Sequence, residues 1–126
     1  MSTKKSYPFP QARLDAWHVA RQARKAAFRF SETLPRGFAN QRHQLNDAAV
    51  AVVHAIGEGA QRFQPADKIH RFEIASAEAG EAVSAVLTCL DIEVGDPELA
   101  AEFVQLMERV GAMLTGLIRR QRRRQR

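Results

Sequence analysis

The groups able to do chemistry in this chain are fourteen carboxylates, four histidines, one cysteine and nineteen lysines and arginines. Oxidative metal chemistry among packed helices needs two Glu-x-x-His pairs plus two further inward glutamates. The chain has no Glu-x-x-His; His70-x-x-Glu73 runs in the reverse order and occurs once. His18, His43, His54 and His70 stand singly, the pattern of surface or partly buried histidines rather than of a ligand set. The glycines of "AIGEGA" follow no strand and make no phosphate loop. Glu58 sits between Gly57 and Gly59 with no partner acid or nucleophile. Glu58 and Gly59 are therefore read as structural, the carboxylate accepting from backbone or arginine near a helix end. Cys89, beside Val86 and Leu90, reads as a small buried hydrophobe. No catalytic residue, metal ligand or cofactor is expected, and the chain is read as a non-enzyme.

The cations carry more information. Residues 1–45 hold nine Lys/Arg against Asp15 and Glu32, while residues 46–118 hold four against twelve acids. The last eight residues add six arginines, so the net charge of +5 resides in the first third and the tail. Two readings of the tail stand side by side. Arginines at a helix C-terminus suit the macrodipole and aid solubility. They also neutralise phosphates and would give steep salt dependence. A membrane-surface role is disfavoured because no apolar residues are interleaved. The candidate nucleic-acid contacts are Arg21, Arg24, Lys25 and Arg29 on the first helix, with Arg119, Arg120, Arg122, Arg123, Arg124 and Arg126 in the tail.

These groups must be positioned by one domain of 126 residues, long enough to bury a core without disulfide or metal. A single cysteine and the lack of a leader-like apolar run suit a cytoplasmic protein. Turn signals divide the chain into four helices. The first spans about 11–33 and stops at Leu34-Pro35-Arg36-Gly37, with a core stripe of Ala16, Ala20, Ala23, Ala27, Phe30 and Leu34. The second covers about 40–60. The third covers about 66–91 and is rich in small residues. "VGDPE" then predicts Asp96 as N-cap and Pro97 at the first helical position. In the fourth, Leu99, Phe103, Leu106, Val110, Met113 and Leu117 step at heptad spacing, widened by Met107, Leu114 and Ile118. The expected fold is all-α, an antiparallel up-down-up-down four-helix bundle over 11–118. An extended N-terminal arm over 1–10 and an arginine-rich extension of helix four over 119–126 flank it, the latter extending about 12 Å beyond the bundle at 1.5 Å per residue.

"LDAWHVARQARKAAFRFSETLP" and "QLNDAAVAVVHAIGEG" resemble the opening helix and the Ile-x-Glu-Gly helix of a bacterial four-helix-bundle family. Its members are encoded within intervening sequences of large-subunit ribosomal RNA genes, and accessory variability proteins of diversity-generating retroelements are relatives. Arg62 and "RFEIASAEAGEA" resemble the basic link and small-residue helix that follow. The resemblance covers about Leu14 to Leu90. It implies a homopentameric ring, no enzymatic activity and, in some members, binding to nucleic acid or to a reverse transcriptase. Asn46-Asp47 stands where members often carry a basic pair, and Ala55 where they often carry Asn.

Charge segregation supports self-association independently. A basic flank on helix one and an acidic flank on helices three and four allow head-to-tail contacts that close into rings. The candidate interface residues are Trp17, Arg21, Lys25, Glu78, Glu81, Glu98 and Glu102. Pairing of both flanks within one bundle is the competing arrangement. The expected partners are further copies of the chain and RNA or DNA, or an acidic protein such as a nucleic-acid enzyme; no membrane is expected.

Overall fold

Helix ends are set first by local turn chemistry. In the computed structural model, which describes residues 8–125, a short 3-10 helix at Pro10–Arg13 precedes four α-helices. These are α1 Asp15–Ser31, α2 Ala39–Gln61, α3 Pro65–Asp91 and α4 Pro97–Arg124. No described residue lies in a strand. The first helix is not continuous from Gln11: the backbone is extended at Leu14, with φ −97° and ψ 119°. Leu14 packs against the core, and His18 Nε2 lies 2.9 Å from the Ala12 carbonyl oxygen. Side-chain burial thus turns the chain where helical propensity would have carried it straight on.

The α4 start follows its signal. Asp96 Oδ1 accepts from the backbone N–H of Glu98 at 2.8 Å and of Leu99 at 3.1 Å. Such a cap contributes about 1 kcal/mol. Gly95 before it has φ +86°, and a Cβ there would stand 2.6 Å from the Phe30 ring, so only glycine fits.

Each helix packs on the two beside it, in the order α1, α2, α3, α4 around a square, with no close backbone approach across the diagonals among the described residues. Side-chain bonds fix the alternating directions. Asn46 in the first half of α2 donates to Ser31 at the end of α1. Arg29 near the end of α1 reaches Glu102 near the start of α4. The protein is an all-α four-helix bundle.

Phe30, Phe72, Phe103, Leu45, Ile56, Met107 and Leu114 are the largest fully buried side chains. Around them, Ala16, Ala20, Ala23, Ala26 and Ala27 are at most 2% exposed and let α1 lie close to its neighbours. The apolar stripe of α4 is rotated from the heptad expected. Ala100, Phe103, Met107, Val110 and Leu114 form the buried line, while Leu99, Leu106, Met113 and Leu117 are half-buried. A helix in a square must face between two neighbours, so Ala100, Met107 and Leu114 take the centre and the 99–106–113 line turns toward α1. Among the described residues, no helix is long and apolar enough to cross a membrane.

Candidate nucleic-acid interface

The end of the bundle where α2 closes and α3 begins gathers most of the ionisable contacts. The last carbonyls of any helix lack intrahelical donors. Here Lys68 Nζ donates to both Gly59 O and Ala60 O, each at 3.0 Å. Burial, and then the positive charge of Arg124, push the Lys68 ammonium below its ordinary pKa. Glu58 Oε2 meets Arg71 Nη1 at 2.9 Å across the same junction. Gly59 is buried, and a Cβ at that position would stand 2.5 Å from Phe72 Cε1. The Ile-x-Glu-Gly segment thus closes α2 against α3: a carboxylate for Arg71, and a gap for the Phe72 ring.

The tail joins this end. α4 runs unbroken to Arg124, and it does not simply project beyond the bundle. Gln121, seven residues after Leu114, is only 8% exposed and accepts from Arg124 Nη1 at 2.6 Å. Arg122 Nη2 reaches Glu73 Oε2 at 3.2 Å. Arg119, Arg120 and Arg123 are exposed and form no ion pair with a described residue. Arg126 and residues 1–7, with most of the expected N-terminal arm, lie outside the described residues.

The first-helix candidates divide. Arg21 holds its guanidinium 4.7 Å from the centroid of the Trp17 ring, a cation–π contact. The Trp17 indole faces α2 at Gly57, where a Cβ would stand 3.7 Å from Nε1. This pair lies toward the tail end. Arg24 is exposed midway along α1. Arg29, about 12 Å along the helix from Arg21, bonds Glu102 at 2.7 Å within its own subunit. Lys25 and Arg29 line a groove between α1 and α4 with Glu102, Leu106 and Arg109. Arg29 and Glu102 therefore belong to one groove rather than to two flanks.

Glu78 and Glu81 line a different groove, between α2 and α3, with Asp47 and the small residues Ala51, Gly80 and Ser84. Burial raises the Glu78 pKa, helped by the charge of Glu81 and a hydrogen bond with its carboxyl. In the square of helices these two grooves lie on opposite sides. Glu98 is exposed in the first turn of α4. Among the described residues no three His, Cys, Asp or Glu side chains gather as a metal site.

Two exposed aromatic residues stand at the tail end: Phe9, within the expected N-terminal arm, and Phe63, to which periodicity gives no weight. Phe63, in the link between α2 and α3, is 88% exposed, and Phe9, before the 3-10 helix, is 59% exposed. Gln61 Nε2 donates to Gln11 Oε1 at 3.2 Å, tying the two segments together. The available signal was an aromatic beside Arg62 that lies off every helical stripe and one residue short of the Gln64-Pro65 helix start.

No curated protein matches the chain. A family model does, over residues 12–116, a span that takes in the capped end of α2 and most of α4 but stops short of the arginines. The chain belongs to the 23S rRNA-intervening sequence protein family.

Proposed function

We propose that this protein is a non-enzymatic, homo-oligomeric bundle, a pentameric ring as the family resemblance implies, that binds nucleic acid through its cationic end. The observation that carries the reading is the course of the tail. Its arginines continue α4 as helix, with Arg122 paired to Glu73 of α3, Arg124 bonded to Gln121, and Arg119, Arg120 and Arg123 exposed without an ion pair among the described residues. They stand on the same end as Arg62, Lys68 and Arg71. Cations held on a helical frame meet a polyanion without the cost of ordering a loose tail. In a ring, copies of this end would share one rim, and multivalency would raise affinity for a long polyanion. The family's link to an intervening sequence of 23S rRNA supports a nucleic-acid ligand.

Self-association has its own support. The α2–α3 groove offers Asp47, Glu78 and Glu81, and the opposite α1–α4 groove offers Lys25 and Arg109. Complementary faces on opposite sides suit head-to-tail contacts that close into a ring. Arg29 and Glu102 already pair within the subunit and contribute less to such a contact.

The test is binding of labelled RNA and DNA across a salt series, with the full chain and a truncation after Ile118. Affinity should fall steeply with salt, with a slope of about 0.7 to 0.9 per phosphate neutralised, and the truncation should flatten it by several units. Absence of binding at low salt would overturn the reading in favour of an adaptor whose cationic end meets an acidic protein. Sedimentation velocity returning a monomer at low salt would remove the ring.

A further inference from the structure

Phe63 is the most exposed large hydrophobic side chain among the described residues, and it lies at the cationic end. We propose that Phe63 is a stacking platform for an unpaired nucleobase, so that this end binds single-stranded nucleic acid in preference to duplex. The proposal rests on the nucleic-acid reading above and names the class of strand that reading leaves open.

The link that carries Phe63 is short and fixed at both ends. Arg62 leaves α2 in an extended conformation, with φ −76° and ψ 155°. Gln64 is the N-cap of α3 and Pro65 its first residue, so the link has little freedom. Just before it, the α2 carbonyls of Gly59 and Ala60 are clamped by Lys68. The interior position at this end is already filled, because the Phe72 ring occupies the space over Gly59. Phe63 itself stands outside that packing, 88% exposed. Its ring is exposed beside Arg62, at the end of the bundle that also carries Lys68, Arg71 and Arg122.

An exposed aromatic ring on a short link, at the same end as guanidinium and ammonium groups, has the two parts that single-strand binding needs. The ring takes the face of a base, and the cations take the backbone phosphates. Phenylalanine has no hydrogen-bonding group, so such contact is tolerant of sequence. Bases in a duplex are already stacked on both faces, so only an unpaired base can use the ring. Phe9 is tied to the same end through Gln11 and Gln61 and supplies a second exposed ring.

The experiment is fluorescence anisotropy in low salt with a labelled mixed-sequence RNA of about 12 nucleotides, alone and annealed to its complement. The full chain should bind the single strand more tightly than the duplex. Phe63→Ala should weaken single-strand binding about tenfold and leave duplex binding and the circular dichroism spectrum unchanged. Phe63→Trp should retain single-strand binding. Equal binding of both probes, or equal losses on both in Phe63→Ala, would overturn the proposal while leaving the nucleic-acid reading intact. Failure of the full chain to bind either probe would overturn both. If Phe63→Ala instead splits the oligomer in sedimentation velocity, Phe63 is a contact between subunits and the stacking role is wrong.

Discussion

Arg122 and Glu73, separated by 49 positions in the chain, meet at 3.2 Å between α4 and α3. Their side chains are 58% and 52% exposed, so the pair itself contributes little to stability. It marks where the arginine-rich end of α4 runs along α3. Glu73→Gln should change the free energy of unfolding in urea by less than about 0.5 kcal/mol. Truncation after Ile118 also removes the buried Gln121 and its bond to Arg124, and should cost about 1 kcal/mol while leaving a cooperative transition. Loss of cooperativity in the truncated chain would make the tail part of the core rather than an addition to it.

Gly59 and Gly116 make opposite predictions for the same substitution. A Cβ on Gly59 would stand 2.5 Å from the buried Phe72 ring, whereas nothing lies within 4 Å of one on Gly116. Gly59→Ala forces the ring or α2 to move and should cost about 1–3 kcal/mol. Gly116→Ala, in the interior of α4, should stabilise by about 0.5–1 kcal/mol through helix propensity. Thermal melts of the two variants beside the parent check the contrast. Equal effects would mean that the close approach at Gly59 has no energetic consequence.

Where local chemistry decides, the sequence was readable. Asp96-Pro97 marked the α4 start because a cap and a fixed φ act within three residues. The alanine stripe of α1 marked its buried face because 3.6-residue periodicity needs no knowledge of the partner. The misses arise between elements. The α4 stripe rotated toward Met107 and Leu114 because two neighbouring helices, not one, set the buried sector. Leu14 broke the first helix because packing outweighed propensity. The antiparallel placement of α1 and α4 was legible, but whether Arg29 meets Glu102 inside one bundle or across two depends on side-chain register, which periodicity does not give. Phe63 was passed over because periodicity gives no weight to a residue outside a helix.

Cys89 is 4% exposed, and burial raises its thiol pKa. The reactive species is the thiolate, so both access and ionisation oppose modification. At a pH of about 8, near the ordinary thiol pKa, disulfide-exchange labelling of the native protein should be at least ~100-fold slower than in denaturant. Labelling at the denatured rate would place Cys89 at the surface, outside the α3 core line with Val86.

Glu78 makes the bundle's response to pH predictable in sign. Its carboxyl is raised by burial, by the charge of Glu81 and by their hydrogen bond, while Asp47 of α2 lines the same groove. A carboxyl raised in the folded state gives stability that is fully present below its unfolded pKa. That stability is lost as the pH rises through the folded value. Glu78→Gln removes the ionisation and keeps much of the shape. The variant should therefore be more stable than the parent near pH 7, with a gap that closes as the pH falls through the raised Glu78 pKa to the ordinary carboxylate value. Glu81→Gln should return the Glu78 pKa part of the way and narrow the same gap. Urea midpoints of the three proteins across that range decide the matter. A Glu78→Gln advantage that does not change with pH would mean that packing in the α2–α3 groove, and not the charge of this carboxylate, sets the difference.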